Sequence, residues 1–167
     1  MLSKLSFLAF AAMLIAAPSF AQDHSAFNGK WALSQGRSDF GGGDTLTSRV
    51  DTIAVDGETF TDSVHSTSDS GDDTYKLGLT TNGKFVAVAE DSPLAYAGGI
   101  MTVTQMSAKW KGNSLVLTET LTNSFAAGTS KATITYTLSA DGKLMSITST
   151  SDAPFGFSDT RLVFEKI

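Results

Sequence analysis

The chain contains no cysteine. Thiolate nucleophiles, iron–sulfur clusters and zinc–thiolate centres are therefore excluded, and no disulfide staples the fold. Histidine is almost as scarce: only His24 and His65 occur in 167 residues, which leaves no histidine cluster for a metal. A Ser-His-Asp arrangement would have to use His65, and no serine stands in a G-x-S-x-G setting to support it. Gly41-Gly42-Gly43 lacks the spacing and the strand-to-helix context of a phosphate-binding loop. Asp69, Asp72 and Asp73 do not follow the spacing of an EF-hand and read as a hydrated acidic loop. The sequence thus calls for no metal and no cofactor, and nothing in it supports an enzyme. Basic residues are outnumbered, with 12 Lys and Arg against 17 Asp and Glu. A surface of that sign repels nucleic acid and anionic lipid, so neither is an expected partner.

Proline is also sparse, and Pro18, Pro93 and Pro154 punctuate rather than interrupt the patterned segments. The first of them closes an N-terminal leader. Lys4 supplies a positive charge, Leu5 to Ala17 an apolar run, and Ser19-Phe20-Ala21 a small-x-small cleavage site before Gln22, the features of a secretory signal peptide over 1–21. The apolar run is shorter than the roughly 20 residues a membrane span requires. Removal of residues 1–21 takes away only Lys4 among the charged residues, leaving 11 basic and 17 acidic groups in a mature domain at 22–167. Periplasmic or extracellular localisation follows as the expectation. With no disulfide available, stability must come from a core, which a domain of this size can bury.

Beyond the leader no helical period persists, whereas alternation of apolar and polar residues recurs. Ala132, Ile134, Tyr136 and Leu138 share one strand face against Thr133, Thr135 and Thr137, and Tyr75, Leu77 and Leu79 alternate with Lys76 and Gly78. Ten strands are expected near 29–35, 46–55, 59–67, 74–80, 85–89, 100–111, 114–122, 130–138, 143–150 and 158–166. Asp56-Gly57, Asn82-Gly83, Gly112-Asn113 and Asp141-Gly142 mark tight hairpin turns. Longer connections near 36–45, 68–73, 90–99, 123–129 and 151–157 alternate with them. In an antiparallel meander this puts the tight turns at one end, a floor, and the long loops at the other, a rim. The expected fold is all-β, an antiparallel up-and-down barrel in which first and last strands pair and no edge is left exposed. A β-sandwich is the alternative. The outward faces carry Thr and Lys without an apolar band, which argues against membrane insertion of the mature barrel.

Phe27-Asn28-Gly29-Lys30-Trp31, followed by Ser38-Asp39-Phe40, resembles the opening of a widespread group of small exported bacterial proteins described as lipocalin-like. The likeness extends to Asp141-Gly142-Lys143 and to the closing Leu162-Val163-Phe164-Glu165-Lys166. It implies a calycin-type β-barrel. In lipocalins a Gly-x-Trp near the start lays its indole across the closed end against a basic residue from a late strand, so the resemblance implies that role for Trp31. Strand geometry places Lys166, not Arg161, level with Trp31, as a cation over the indole of the barrel floor.

Glu119 shares a strand face with Leu115, Leu117 and Leu121. If that face points inward, an apolar lining holds a carboxylate, whose partner is then a ligand amine or hydroxyl, or an interior Tyr or Thr; the alternative is a register change that turns it outward. Asp62, between Phe60 and Val64, poses the same question, and a bulge would expose it. The interior aromatics expected are Phe60, Phe85, Trp110 and Tyr136. At the rim the long loops contribute Phe40, Leu94, Tyr96, Phe125, Phe155 and Phe157, an aromatic cluster of the kind that marks binding surfaces. The reading that follows is an exported protein holding a small apolar or amphipathic ligand in the barrel, with Tyr96, Phe125, Phe155, Phe157 and Glu119 as its contacts. A structural or protein-interaction module of the cell envelope is the alternative.

Overall fold

The computed structural model describes residues 23–41, 46–92, 94, 101–123, 128–153 and 159–167. Ten antiparallel strands follow in order: β1 (Gly29–Leu33), β2 (Leu46–Asp56), β3 (Thr59–Ser68), β4 (Gly71–Thr80), β5 (Val86–Ala87), β6 (Met101–Lys111), β7 (Ser114–Asn123), β8 (Thr129–Leu138), β9 (Leu144–Ser151) and β10 (Thr160–Lys166). Single 3-10 turns at Ser25–Phe27 and Gln35–Arg37 flank β1. No helix among the described residues is long and apolar enough to cross a membrane.

The strands form one sheet in the order β4-β3-β2-β1-β10-β9-β8-β7-β6-β5. Every sequential pair within each arm is a hairpin neighbour, and the two arms join where β1 meets β10, with Trp31 opposite Lys166 and Leu33 opposite Phe164. The sheet curls so that the period-2 apolar face becomes the interior. Trp31, Phe60, Ala108, Leu115, Leu117, Leu121, Met145 and Phe164 are wholly buried there.

Four expectations need correction. The curled sheet retains edges: β4 and β5 do not pair, and between them lies a seam. Asn82-Gly83 accordingly does not close a β4–β5 hairpin. Asn82 bridges to Lys109 on β6, and the Gly83 N–H donates to the Ala108 carbonyl at 2.8 Å. Gly83 holds φ +78°, and a Cβ there would lie 3.3 Å from the Lys109 side chain; its turn chemistry serves close approach to β6 instead. The expected strand at 85–89 shrinks to two residues, and Phe85 is not an interior aromatic but 46% exposed beside the seam. Finally, the 68–73 segment is no long loop, since β3 and β4 run on to Ser68 and Gly71 and turn through two residues. Polar cross-strand contacts of Thr67 Oγ1 with Asp72 Oδ1 (2.8 Å) and His65 Nδ1 with Thr74 Oγ1 (2.9 Å) extend the ladder. The acidic run there is thus largely strand.

Candidate functional site

At the floor, Trp31 is sealed from below by the first 3-10 turn. Its indole N–H donates to the Phe27 carbonyl at 2.8 Å. Lys166 passes over the same ring, with Nζ 4.9 Å from the centroid, and donates to the Ala26 carbonyl at 3.0 Å. Gly29 makes room for that passage: it holds φ +131°, and a Cβ there would meet Lys166 Cε at 3.0 Å. Arg161 is exposed and far up β10, exchanging backbone hydrogen bonds with Asp39. Trp110, expected as an interior aromatic, instead stands half-buried at the floor's margin, with His24 stacked on it at 3.6 Å and Phe27 tilted against it at 5.3 Å. Burial lowers the pKa of His24. A groove of about 480 Å³ runs beside this stack, lined by Asp23, Ser25, Val55, Glu58 and Thr81 among others.

At the rim, Phe40 and Leu94 pack, partly buried, against the core. Tyr96, Phe125, Phe155 and Phe157 lie outside the described residues.

The interior holds a polar constellation that local sequence patterns only partly disclosed. On β2, Arg49, Asp51 and Ile53 project inward from alternate positions. Asp51 is paired with Trp31 on one side and Val64 on the other, and is completely buried. Arg49 grips it with a two-pronged ion pair, Nε to Oδ1 at 2.7 Å and Nη2 to Oδ2 at 2.9 Å, the strongest geometry available to a guanidinium and a carboxylate. The guanidinium also lies 5.4 Å from the Phe164 ring centroid. Burial pulls the Arg49 pKa down, but Tyr75 and Asp51 more than offset this and hold it above its ordinary value.

Asp62 comes from β3, paired in register with Ile53 and Leu77. No bulge interrupts β3 at this point, so the carboxyl stays inward and completely buried. Tyr136 reaches it from β8, five strands away in sheet order, its hydroxyl donating to Asp62 Oδ2 at 3.1 Å. The Tyr136 ring meets Phe60 edge-on at 5.3 Å, which braces the crossing. Asp62 Oδ1 accepts no hydrogen bond. Burial pushes the Asp62 pKa up, and the adjacent Asp51 charge pushes it further, to about 7 despite the opposing pull of Arg49 and Tyr136. The constellation contains two carboxyls and one cation, and is one positive charge short. A proton on Asp62 supplies it below about pH 7.

Glu119 lies on the inward face of β7 between Leu117 and Leu121, with Met106 on β6 and Ala132 on β8 beside it. Among the described residues it has no hydrogen bond and no ion pair. Burial alone raises its pKa to about 7. The two acids singled out from the sequence therefore both face the interior, on different walls. Arg49 and Asp51 were not singled out. Their signal was the alternation Arg49, Asp51, Ile53, Val55, in which two charges occupy the face that the next two residues mark as apolar.

No protein-family model matches the chain, and neither does any of the curated proteins compared with it. Among solved structures, the fold is similar to a Schistosoma mansoni fatty acid binding protein in complex with arachidonic acid, with a TM-score of 0.55 and 18% identity over 86% of this chain and 98% of that one. A zebrafish ileal bile acid-binding protein complexed with cholic acid aligns at a TM-score of 0.48 and 16% identity, covering 86% of this chain and 100% of that one. At 18% identity the likeness to the fatty acid binding protein is one of fold alone: antiparallel strands in one curled, half-barrel sheet.

Proposed function

We propose that this chain is an exported binding protein that holds one small apolar or amphipathic ligand inside its β-barrel. The observation that carries the reading is the pair of inward acids. A core built for stability alone gains nothing from a partly buried carboxyl such as Glu119 without a partner among the described residues, because its desolvation is uncompensated. A ligand-binding interior, in contrast, is mostly apolar with a few placed polar groups. The fold neighbour that contains arachidonic acid lends support from architecture, and the leader over 1–21 supports export. Tyr96, Phe125, Phe155 and Phe157 are proposed as the entrance, on the sequence pattern alone, in which they fall in the longer connections that alternate with the tight turns.

One observation favours the other reading, a structural or protein-interaction module of the envelope. Tyr136 crosses the floor half of the interior to bond Asp62 and meets Phe60 edge-on there, so side chains occupy part of the space a ligand would take. Titration with the neutral apolar dye Nile red separates the two. Saturable binding that weakens in Tyr96→Ala, Phe125→Ala and Phe155→Ala, with unfolding midpoints retained, is the expected result. Substitution at Asn82 or Gly83 should change stability and spare affinity. Absence of saturable binding, or binding indifferent to all three rim substitutions, refutes the ligand reading. N-terminal sequencing of exported material should begin at Gln22.

A further inference from the structure

The charge balance of the interior points to a ligand class. Arg49 is the one cation among the described residues that is not exposed, and its fork is already committed to Asp51. Against it stand three inward carboxyls, Asp51, Asp62 and Glu119. A ligand carboxylate entering this space would find no free cation and would add negative charge where the dielectric is low. A ligand cation would find Asp62 Oδ1, which accepts no hydrogen bond in a side chain that is 0% exposed. It would also find Glu119, which has no partner among the described residues.

Resting on the ligand-binding reading above, we infer that the ligand's polar group is a cation, an ammonium on an apolar chain, taken up against the interior carboxyls of Asp62 and Glu119 in place of their protons. The exchange makes and breaks no covalent bond: each carboxyl that pairs with the ammonium releases one proton to solvent. Facing Asp62 are Arg49 and Asp51 from β2, Tyr75 from β4 and Tyr136 from β8. Facing Glu119, the flanking strands present Met106 and Ala132, neither of them ionisable. With both carboxyls titrating at about 7, affinity for an ammonium rises with pH up to that point, by about tenfold per pH unit for each proton released. A carboxylate ligand would show no such gain. This departs from the fold neighbour that contains arachidonic acid, a carboxylic acid.

The test is calorimetric titration of the purified protein with dodecylamine, laurate and 1-dodecanol, three probes of one chain length, at pH 6 and pH 8 below their micellar concentrations. Expected is tightest binding of dodecylamine, at least tenfold over laurate at pH 8. Its affinity should be about tenfold or more greater at pH 8 than at pH 6, with a heat that varies with buffer ionisation enthalpy because protons are released. Asp62→Asn and Glu119→Gln should weaken dodecylamine about tenfold and leave dodecanol unchanged. If Asp62→Asn does not fold, Glu119→Gln and the buffer dependence decide. Laurate binding as tightly as dodecylamine, or amine and alcohol binding alike at both pH values, overturns the ammonium assignment and leaves the binding function standing. Failure of all three probes overturns both.

Discussion

Replacing Glu119 by Gln is the most direct probe of the interior, because it retains the shape of the side chain and removes its charge. In the folded protein the carboxyl has a pKa of about 7 against an ordinary value of 4.5, and burial is the whole cause. A folded-state pKa raised in this way favours the protonated native form. Its contribution is fully present below pH 4.5, diminishes as the unfolded chain ionises, and is gone once the pH passes about 7. At about 1.4 kcal/mol per pKa unit, the rise corresponds to about 3 kcal/mol between acidic and mildly alkaline solution. Solvent at the partly exposed edge of the residue makes that a ceiling. Glu119→Gln should therefore match the parent protein to within about 1 kcal/mol at pH 5 and exceed it by up to about 3 kcal/mol at pH 8. Urea unfolding at both pH values, followed by tryptophan fluorescence, measures the difference. A variant that is no more stable at pH 8 than the parent would show that the carboxylate is paired, and would remove it from the interior argument.

Three further outcomes follow from the geometry. Asp51→Ala leaves the Arg49 guanidinium buried without its counter-charge and should cost about 3–5 kcal/mol, whereas Arg49→Met with Asp51→Leu should recover much of that loss; denaturant unfolding checks both. Trp31→Ala removes a wholly buried indole and should cost about 3–5 kcal/mol, and a solvent-like emission maximum for Trp31 in a Trp110→Phe background would contradict its place in the floor. Gly29→Ala introduces a Cβ 3.0 Å from Lys166 Cε at φ +131°, so it should lower the unfolding midpoint and alter Trp31 emission by moving the ammonium, an effect Lys166→Met should reproduce in emission without the backbone strain.

The fold was legible where the signal was local. Alternation in Ala132–Leu138 or Tyr75–Leu79 marks a one-sided strand whatever it pairs with, and the two-residue turn at Gly112-Asn113 is set by backbone conformation at Gly112, which holds φ +56°. Legibility failed where a neighbour distant in sequence decided the outcome. Asn82-Gly83 carries hairpin chemistry, but β6 captures it, and no feature of residues 80–87 announces Lys109. Phe85-Val86-Ala87 has strand composition and yet borders a seam. Glu119 was conspicuous because three leucines share its face. Arg49 and Asp51 were not, because two charges spaced by one residue look like a wet face until pairing of Asp51 with Trp31 and Val64 turns that face inward.

The junction of β1 with β10 has a consequence for when the molecule can exist at all. Strands drawn from opposite ends of the sequence lie side by side in the middle of the sheet, and even the Ile167 N–H bonds to the Lys30 carbonyl at 3.0 Å. Until Lys166 has been synthesised, the chain is two unjoined meanders with the Trp31 ring uncovered on one side. Such long-range pairing makes for slow, late folding. A chain of this layout joins its two arms into one curled sheet only after β10 has been made.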